Sequence, residues 1–450
     1  MTLIEFANNV KKRGVFVKEF KIKFTAAGDM LIQRKISTQY EGFKELSDYI
    51  KKGDVRFFNL ETTLHHGEHF GNQFYGGSYL YADPSVLDIA KEYGFNILSF
   101  ANNHTMDYSH AGLLSTLDYV NEAGFPNAGV GRNLDDAAEP AYIDTPTGRV
   151  ALISVVSTIV NQAAMAGRQS RQMPGRPGVN ALRFDEKIEL TPEQFEVVEF
   201  IAQNSGVNAK DNISRAEGYQ PPVPEGITVL KDLKFFKGEK THYHTSPNAE
   251  DMQRVKKAIY EAQMHADYIL VSFHSHEVGG TAKEEVPPFI KEFAHECIDC
   301  GAHAVIGHGP HLMRPVEIYK GYPIFYSLGD FMLHNESVFK IPEDLYEKYG
   351  MTSDSTMREL FCKRSANYTR GLMTDRRMFE AFIPYFEIEN GKLTYLELMP
   401  IELDFEEPRY KNGNPHIKTD SDILKKLQAM SEPYGTKIKI DECGVGIVEL

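Results

Sequence analysis

Apolar positions along this chain follow two rhythms that alternate. Short runs such as Phe20 to Ala27, Val55 to Leu60, Phe95 to Phe100, Val150 to Val156, Tyr268 to Phe273 and Ala304 to Ile306 have the length and composition of strands. Between them lie helix-period segments. One runs from about Glu41 to Lys52, with Phe43, Leu46, Tyr49 and Ile50 on one face and Gly53 after it. Others start at Asp83-Pro84 and stop at Gly94, run from about His110 to Gly124, from about Glu250 to His265, and from about Pro288 to Gly301. Strand and helix in alternation predict an α/β fold.

The rhythm breaks twice. Between about residues 157 and 243 it weakens, and Gly, Pro, Arg and Gln accumulate from Gly167 to Arg183. This reads as a loop-rich insertion holding one helix, with Thr191 as its N-cap, Pro192 in its first turn and Gln194 as the reciprocal capping partner. A polar stretch at about 333–380, containing Arg364, Arg370, Arg376 and Arg377, is a second insertion. Arg314 to Tyr319 and Pro323 to Leu328 pair around Lys320-Gly321, and Ala381 to Glu389 and Leu393 to Leu403 form a hairpin at Asn390-Gly391. The expectation is one domain over 20–403, with 404–450 as a C-terminal extension packed on it.

Composition narrows the partners. The 450 residues are 42% hydrophobic, enough for a large core, and a formal charge of -14 repels nucleic acid and anionic membrane. No apolar run is long enough to span a bilayer, and Met1-Thr2-Leu3-Ile4-Glu5-Phe6 lacks the features of a signal peptide, so a cytoplasmic location is expected. Four cysteines, of which only Cys297 and Cys300 are close, predict neither a disulfide framework nor a zinc ribbon. An acidic substrate would need a local basic patch, and Arg168, Arg171, Arg176 and Arg183 crowd the first insertion as candidates for it. Nothing in the pattern sets an oligomeric state.

Ligand-type residues recur where strands end: Asp29, Glu61, Asn103 with His104, His274 with His276, and His308 with His311. In open α/β sheets the crevice outside the carboxyl ends of the strands gathers such groups from distant parts of a chain. In Gly307-His308-Gly309-Pro310-His311, Gly307 is expected to let the backbone leave the strand and Pro310 to stiffen the turn. Carboxylates, an amide oxygen and imidazoles form a mixed oxygen and nitrogen set suited to two divalent transition-metal ions such as Zn, Mn, Fe or Co. If Glu61 or Asp29 bridges ions ~3.5–4 Å apart, they can activate a shared water. His65, His66 and His69 fall in a polar, glycine-containing loop and are expected in solvent.

Gly28-Asp29-Met30-Leu31, Asn59-Leu60-Glu61, Ala101-Asn102-Asn103-His104 with Asp107, and Gly307-His308-x-Pro310-His311 followed by Pro315-Val316-Glu317 and Tyr326-Ser327-Leu328-Gly329 resemble the CapA (capsule-biosynthesis, poly-γ-glutamate synthesis) family of the calcineurin-like metallophosphoesterase superfamily. The resemblance implies a four-layer α/β/β/α fold, a two-sheet sandwich flanked by helices, with a dinuclear site at the sheet edge. By position, Asp29 would be the first-motif ligand, Glu61 the bridging carboxylate, Asn103 and His274 ligands of the second ion, and His308 and His311 the rest. His104, partnered by Asp107, would protonate a leaving group or steady an oxyanion. Two departures stand out. The superfamily histidine two residues after the first aspartate is Leu31 here, with His276 available to serve that site, and Asp330 stands where many members carry asparagine. The implied function is a metal-dependent hydrolase acting on an amide, ester or phosphoester of an anionic, γ-glutamyl-like small molecule or oligomer. The alternative is a non-catalytic accessory protein that binds poly-γ-glutamate or another anionic capsule polymer.

Overall fold

The computed structural model describes residues 21–334, 337, 338 and 340–450. Phe20 and the N-terminal stretch read above for a signal peptide lie outside the described residues. The first half of the chain builds strand β1 (Lys21–Leu31), helix α1 (Phe43–Ile50), β2 (Val55–Leu60), α2 (Leu87–Tyr93), β3 (Ile97–Ser99), α3 (Ser109–Glu122) and β4 (Gly148–Val156). After the first insertion come α4 (Ala249–Ala262), β5 (Tyr268–His274), α5 (Pro288–Asp299), β6 (Ala304–His308), β7 (Met313–Tyr319), β8 (Tyr322–Leu328) and β9 (Asp330–Leu333). The hairpin β10 (Glu380–Glu389) and β11 (Lys392–Glu402) follows the second insertion. Local chemistry sets the helix ends: the Asn248 side chain accepts from the Glu250 and Asp251 amides to start α4, and Gly94 ends α2 at φ 100°.

Two sheets stack face to face. In the ten-stranded sheet β1 lies between β10 and β2, with β3 beyond β2, and the short strands Gly446–Val448 and Ile438–Ile440 extend the edge past β11. β1, β2 and β3 run parallel, and β9 pairs with the end of β1. The six-stranded sheet has the order β7-β8-β6-β5-β4 followed by Ala141–Thr145, with β4, β5, β6 and β8 parallel.

Alternate residues of each strand enter different cores. Ile22, Phe24, Val55 and Phe57 meet Leu152, Leu270 and Ile306 between the sheets. Phe58 and Leu98 pack outward with Phe43, Leu46 and Leu113, while Ile153, Val271 and Val305 pack against Val255, Ile259 and Phe293 on the opposite side. The result is four layers, α/β/β/α. Burying each large side chain contributes roughly 1.5–3 kcal/mol, so both sheet faces bind their helices firmly.

The first insertion is more regular than its composition suggests. Phe184–Leu190, Ile227–Leu230, Leu233–Lys237 and His242–Pro247 form a separate four-stranded sheet beside helices Pro192–Asn204 and Ala209–Ala216. Leu190, Phe195 and Phe235 make up its small buried cluster, so the strands do not announce themselves by hydrophobicity. The capping box at Thr191 and Gln194 forms as expected. Among the described residues no helix is long and apolar enough to cross a membrane.

Candidate metal centre

The centre lies where the carboxyl ends of the two sheets meet. Asp29 sits at an irregularity near the end of β1, its Cα level with that of Asp330 at the start of β9. This close approach requires Gly28, because a Cβ there would stand 1.8 Å from the Gly329 carbonyl oxygen. Glu61 follows β2, and the turn after β3 supplies Asn103 and His104. From the second sheet His274 ends β5 with His276 two residues on, while His308 ends β6 and His311 follows at φ 60°. A left-handed backbone at a histidine is a strained placement that the surrounding turn has to hold.

Gly307 does not make that turn. It stays within β6, where a Cβ would lie 2.4 Å from the Tyr326 carbonyl oxygen, so glycine there permits strand packing. The chain reverses at Gly309, at φ 120°, and the Gly309 amide donates to Asp29 Oδ2 at 2.7 Å.

The donor atoms crowd together. His308 Nδ1 lies 3.1 Å and His274 Nδ1 3.5 Å from Asp29 Oδ1, and the two Nδ1 atoms are 2.9 Å apart. His274 Nε2 lies 2.8 Å from Asn103 Oδ1, 3.1 Å from His276 Nε2 and 3.8 Å from Glu61 Oε1. His311 Nδ1 lies 3.0 Å from Asp330 Oδ1. Three sets have all their donor atoms within 4.8 Å of one another: Asp29, His274 and His308; Glu61, His274 and His276; and Asp29, Glu61, His311 and Asp330. Asp29, Glu61 and His274 each belong to two sets.

Burial makes this cluster expensive without a cation. Glu61 is fully buried, and neither of its carboxylate oxygens has a hydrogen-bond partner; Asp330 Oδ2 and Asn59 Oδ1 are also unpartnered. Desolvation, then the charges of Asp29, Asp330 and Asp107, pushes Glu61 well above the usual carboxylate range. Desolvation also lifts Asp330 to about 6 against the pull of His311. Burial raises Asp29 too, but His308 and His274 outweigh it and hold that carboxyl well below its ordinary value. On the other wall burial lowers His274 to about 4 and depresses His276 strongly. An unpaired buried carboxylate costs several kcal/mol, and neutral imidazoles are metal ligands, so the donor set fits one or two divalent ions.

His104 stands beside the donors. Its Nδ1 lies 2.7 Å from Asp107 Oδ2, which leaves Nε2 directed toward Glu61 Oε1 at 3.9 Å. Asp107 is fully buried and accepts from the Gly76 and Leu80 amides at 2.9 and 2.8 Å.

All nine sequence candidates for metal and acid–base chemistry therefore converge. The four arginines do not join them. Arg183 is held by Asp251 and Glu250 beside α4, Arg176 donates to the Met165 carbonyl, and Arg168 and Arg171 project from the loop into solvent. Two neighbours of the centre were overlooked: Asn59, whose amide donates to Asp29 Oδ1 at 2.6 Å, and Asp330 as a donor. The second had a signal, since Gly329-Asp330 repeats Gly28-Asp29 at another strand end. His65 also departs from expectation. It is fully buried, with its ring against Tyr81 and Tyr108, so aromatic packing outweighs the polar sequence around it.

Comparison with known proteins agrees with this architecture. The family model described as "Bacterial capsule synthesis protein PGA_cap" matches residues 23–335. The "Uncharacterized protein y4sH" of Sinorhizobium fredii (strain NBRC 101917 / NGR234) is 30% identical over 94% of this chain and 92% of its own length. "Capsule biosynthesis protein CapA" of Bacillus anthracis is 22% identical over 69% of this chain and 60% of its own. The "Probable polyglutamine synthesis accessory protein Rv0574c" of Mycobacterium tuberculosis (strain ATCC 25618 / H37Rv) is 24% identical over 62% of this chain and 55% of its own. With the match spanning most of the layered domain and every strand end that supplies a donor, the chain belongs to the PGA_cap family of bacterial capsule synthesis proteins, within the metallophosphoesterase-like superfamily.

Proposed function

We propose that this protein is a metal-dependent hydrolase acting on an amide, ester or phosphoester bond of an anionic, γ-glutamyl-like substrate. The observation that carries the reading is Glu61: a fully buried carboxylate with both oxygens unpartnered, facing imidazoles from the opposite sheet. Asp29, Glu61, His311 and Asp330 would hold one ion, with Asp330 supplying the donor that Leu31 does not. Glu61, His274 and His276 would hold the second, with Asn103 beside them and His308 joining His274 at Asp29, and Glu61 would be shared. Divalent ions bound there supply an activated water and polarise the reacting group.

The chain's own residues do the rest. Asn59 and the Gly309 amide fix the Asp29 carboxylate by hydrogen bonds at 2.6 and 2.7 Å, so its free lone pairs keep their direction. Ser272 Oγ, 2.8 Å from His308 Nε2, sets the orientation of that ring. With Nδ1 turned to Asp107, Nε2 is the ring nitrogen left to take up a proton and pass it on to a leaving group.

A panel of γ-glutamyl amides, cyclic amides and phosphodiesters, run on metal-loaded and chelator-treated protein, tests this. Turnover of at least one class, abolished by chelation and restored by Zn, Mn, Fe or Co, is expected. The accessory-protein reading, suggested by the printed name of the mycobacterial relative, gains if the loaded protein turns over none of them and binds an anionic polymer equally well after chelation.

A further inference from the structure

A cavity outside the metal centre lies beside the turn that carries His104 and Asp107. Its volume is about 340 Å³, toward the lower end of the range of small-molecule sites, and His65, Tyr81 and Tyr108 form one wall. The wall is aromatic. The His65 and Tyr81 rings stack with centroids 4.5 Å apart, and Tyr108 lies 4.4 Å from His65 and 5.3 Å from Tyr81. The second insertion contributes Ile341 and Pro342, against which Gly71 packs so tightly that a Cβ would stand 2.2 Å from the proline ring. Among the described residues no donor of the metal centre lines this cavity.

Polar atoms in that wall have nothing to bond. His65 Nδ1 accepts from the Gly67 amide at 3.0 Å, and burial lowers the ring to about 4, so the imidazole is neutral and its one proton sits on Nε2. That N–H is buried and, among the described residues, has no hydrogen-bond partner; the buried Tyr108 hydroxyl has none either. A third such atom, His69 Nε2, lies 3.5 Å from Glu68 Oε1. Buried donors without acceptors are destabilising and uncommon, and here they share one cavity. The His65 tautomer decides against a cation, since a protonated Nε2 has no lone pair to give, and no set of metal donors gathers here among the described residues. Lys340 and Asp344 also line the cavity, one charge of each sign.

We propose that this cavity binds a small, uncharged, planar carbonyl compound, with its ring against the tyrosine wall and its oxygen accepting from His65 Nε2 and the Tyr108 hydroxyl. A carbonyl oxygen has two lone pairs and can take both donors, while flat aromatic walls favour a flat ligand. Lys340 and Asp344 offset each other, so charge gives an ion no advantage over a neutral molecule. The site adjoins the acid–base pair without being part of it. Tyr108 follows Asp107 directly, and the chain that frames the cavity also holds Asp107, through the Asn72 amide on its carbonyl at 2.8 Å and the Gly76 and Leu80 amides on its carboxylate. Binding here does not depend on the hydrolase reading.

The test is a set of ligand-observed NMR titrations of the full chain with acetophenone and with α-methylstyrene, which has the same shape but a methylene in place of the ketone oxygen. Wild-type protein should bind acetophenone roughly tenfold more tightly, as expected of hydrogen bonds to donors that otherwise have no partner. Tyr108→Phe removes only the hydroxyl, and His65→Phe keeps a ring without the N–H. Each should cut the preference to about threefold or less while changing the affinity for α-methylstyrene by less than about twofold. The hydrocarbon thus reports that the cavity is intact, and if His65→Phe does not fold, Tyr108→Phe alone decides. Equal affinity for the two probes, no binding of either, a preference kept in the folded variants, or tighter binding of benzoate or benzylammonium than of acetophenone overturns the proposal. Loading the protein with Zn or Mn should leave the acetophenone affinity unchanged; displacement by the ions would put the probe in the metal centre and overturn it too. A hydrolase panel without turnover, beside intact acetophenone binding, would count against the catalytic reading alone.

Discussion

The two sheets bring different chemistry to the same cleft. The ten-stranded sheet supplies oxygen: Asp29, Glu61, Asn103 and Asp330 all stand at or just beyond its strand ends. The six-stranded sheet supplies nitrogen, through His274, His276, His308 and His311. Burial acts on the two walls in opposite directions, pushing Glu61 and Asp330 up and His274 and His276 down, so each group is driven toward its neutral form. The consequence differs. His274 and His276 are ready ligands as they stand and Asp29 is already held low by His308 and His274, whereas Glu61 and Asp330 stay ionised only if positive charge joins them. The oxygen wall is therefore the one that a bound cation would stabilise most, and the nitrogen wall the one that would complete its coordination.

Substitutions on the two walls should reflect this division. The largest effect is expected for Glu61→Gln, which removes the charge shared by two donor sets. Metal content by elemental analysis should fall to half or less, and turnover should drop by more than the roughly 100-fold that marks loss of an outer-shell partner. His274→Ala should come next, with metal affinity lowered by isothermal titration but Glu61, Asp29 and Asp330 still holding an ion. If His274→Ala empties the protein while Glu61→Gln does not, the assignment of the two walls is reversed.

Asp107→Asn should act more narrowly. It keeps the shape and the hydrogen bonds from Gly76 and Leu80 but loses the charge that holds the His104 proton on Nδ1. kcat is expected to fall roughly 10–100-fold with metal content unchanged. A parallel loss of metal would make Asp107 part of the cation site and not of the acid–base pair.

The smallest effect comes from histidines outside the cleft. Burial lowers His65 and His303 to about 4 and His334 to about 3. Their folded values lie below the ordinary histidine value of about 6.5, so the unfolded chain takes up protons first as pH falls. Stability is fully present above that value and is lost progressively down toward pH 3–4. Calorimetry of metal-stripped protein should show Tm falling by several degrees between pH 7 and 5, and His303→Gln, on the nitrogen-bearing sheet but away from the cleft, should flatten the slope. A flat profile in the wild type would mean that these rings are hydrated in solution.

The same contrast between regions explains what the sequence disclosed. Donors attached to strand ends were legible, because a parallel strand delivers its last residue to one side of a sheet whatever its other neighbours are. Asp330 was missed although it repeats the Gly-Asp pair of Gly28-Asp29; its pairing with β1 is parallel and distant in sequence, and no local pattern reports that register. The arginines are a different case. Arg168 and Arg171 belong to a loop whose direction no periodicity fixes, and they stand exposed in it. The strands between Phe184 and Pro247 escaped notice because their sheet buries few side chains, and alternation fades where so few positions are buried.

The central claim, that the strand ends of both sheets close on divalent cations, is tested most directly by elemental analysis of purified protein together with its His308→Ala variant. Between one and two transition-metal ions per chain are expected in the wild type, with a clear loss in the variant. Wild-type protein that takes up less than one equivalent even after incubation with Zn, Mn, Fe or Co, or a variant that retains the full complement, would contradict it.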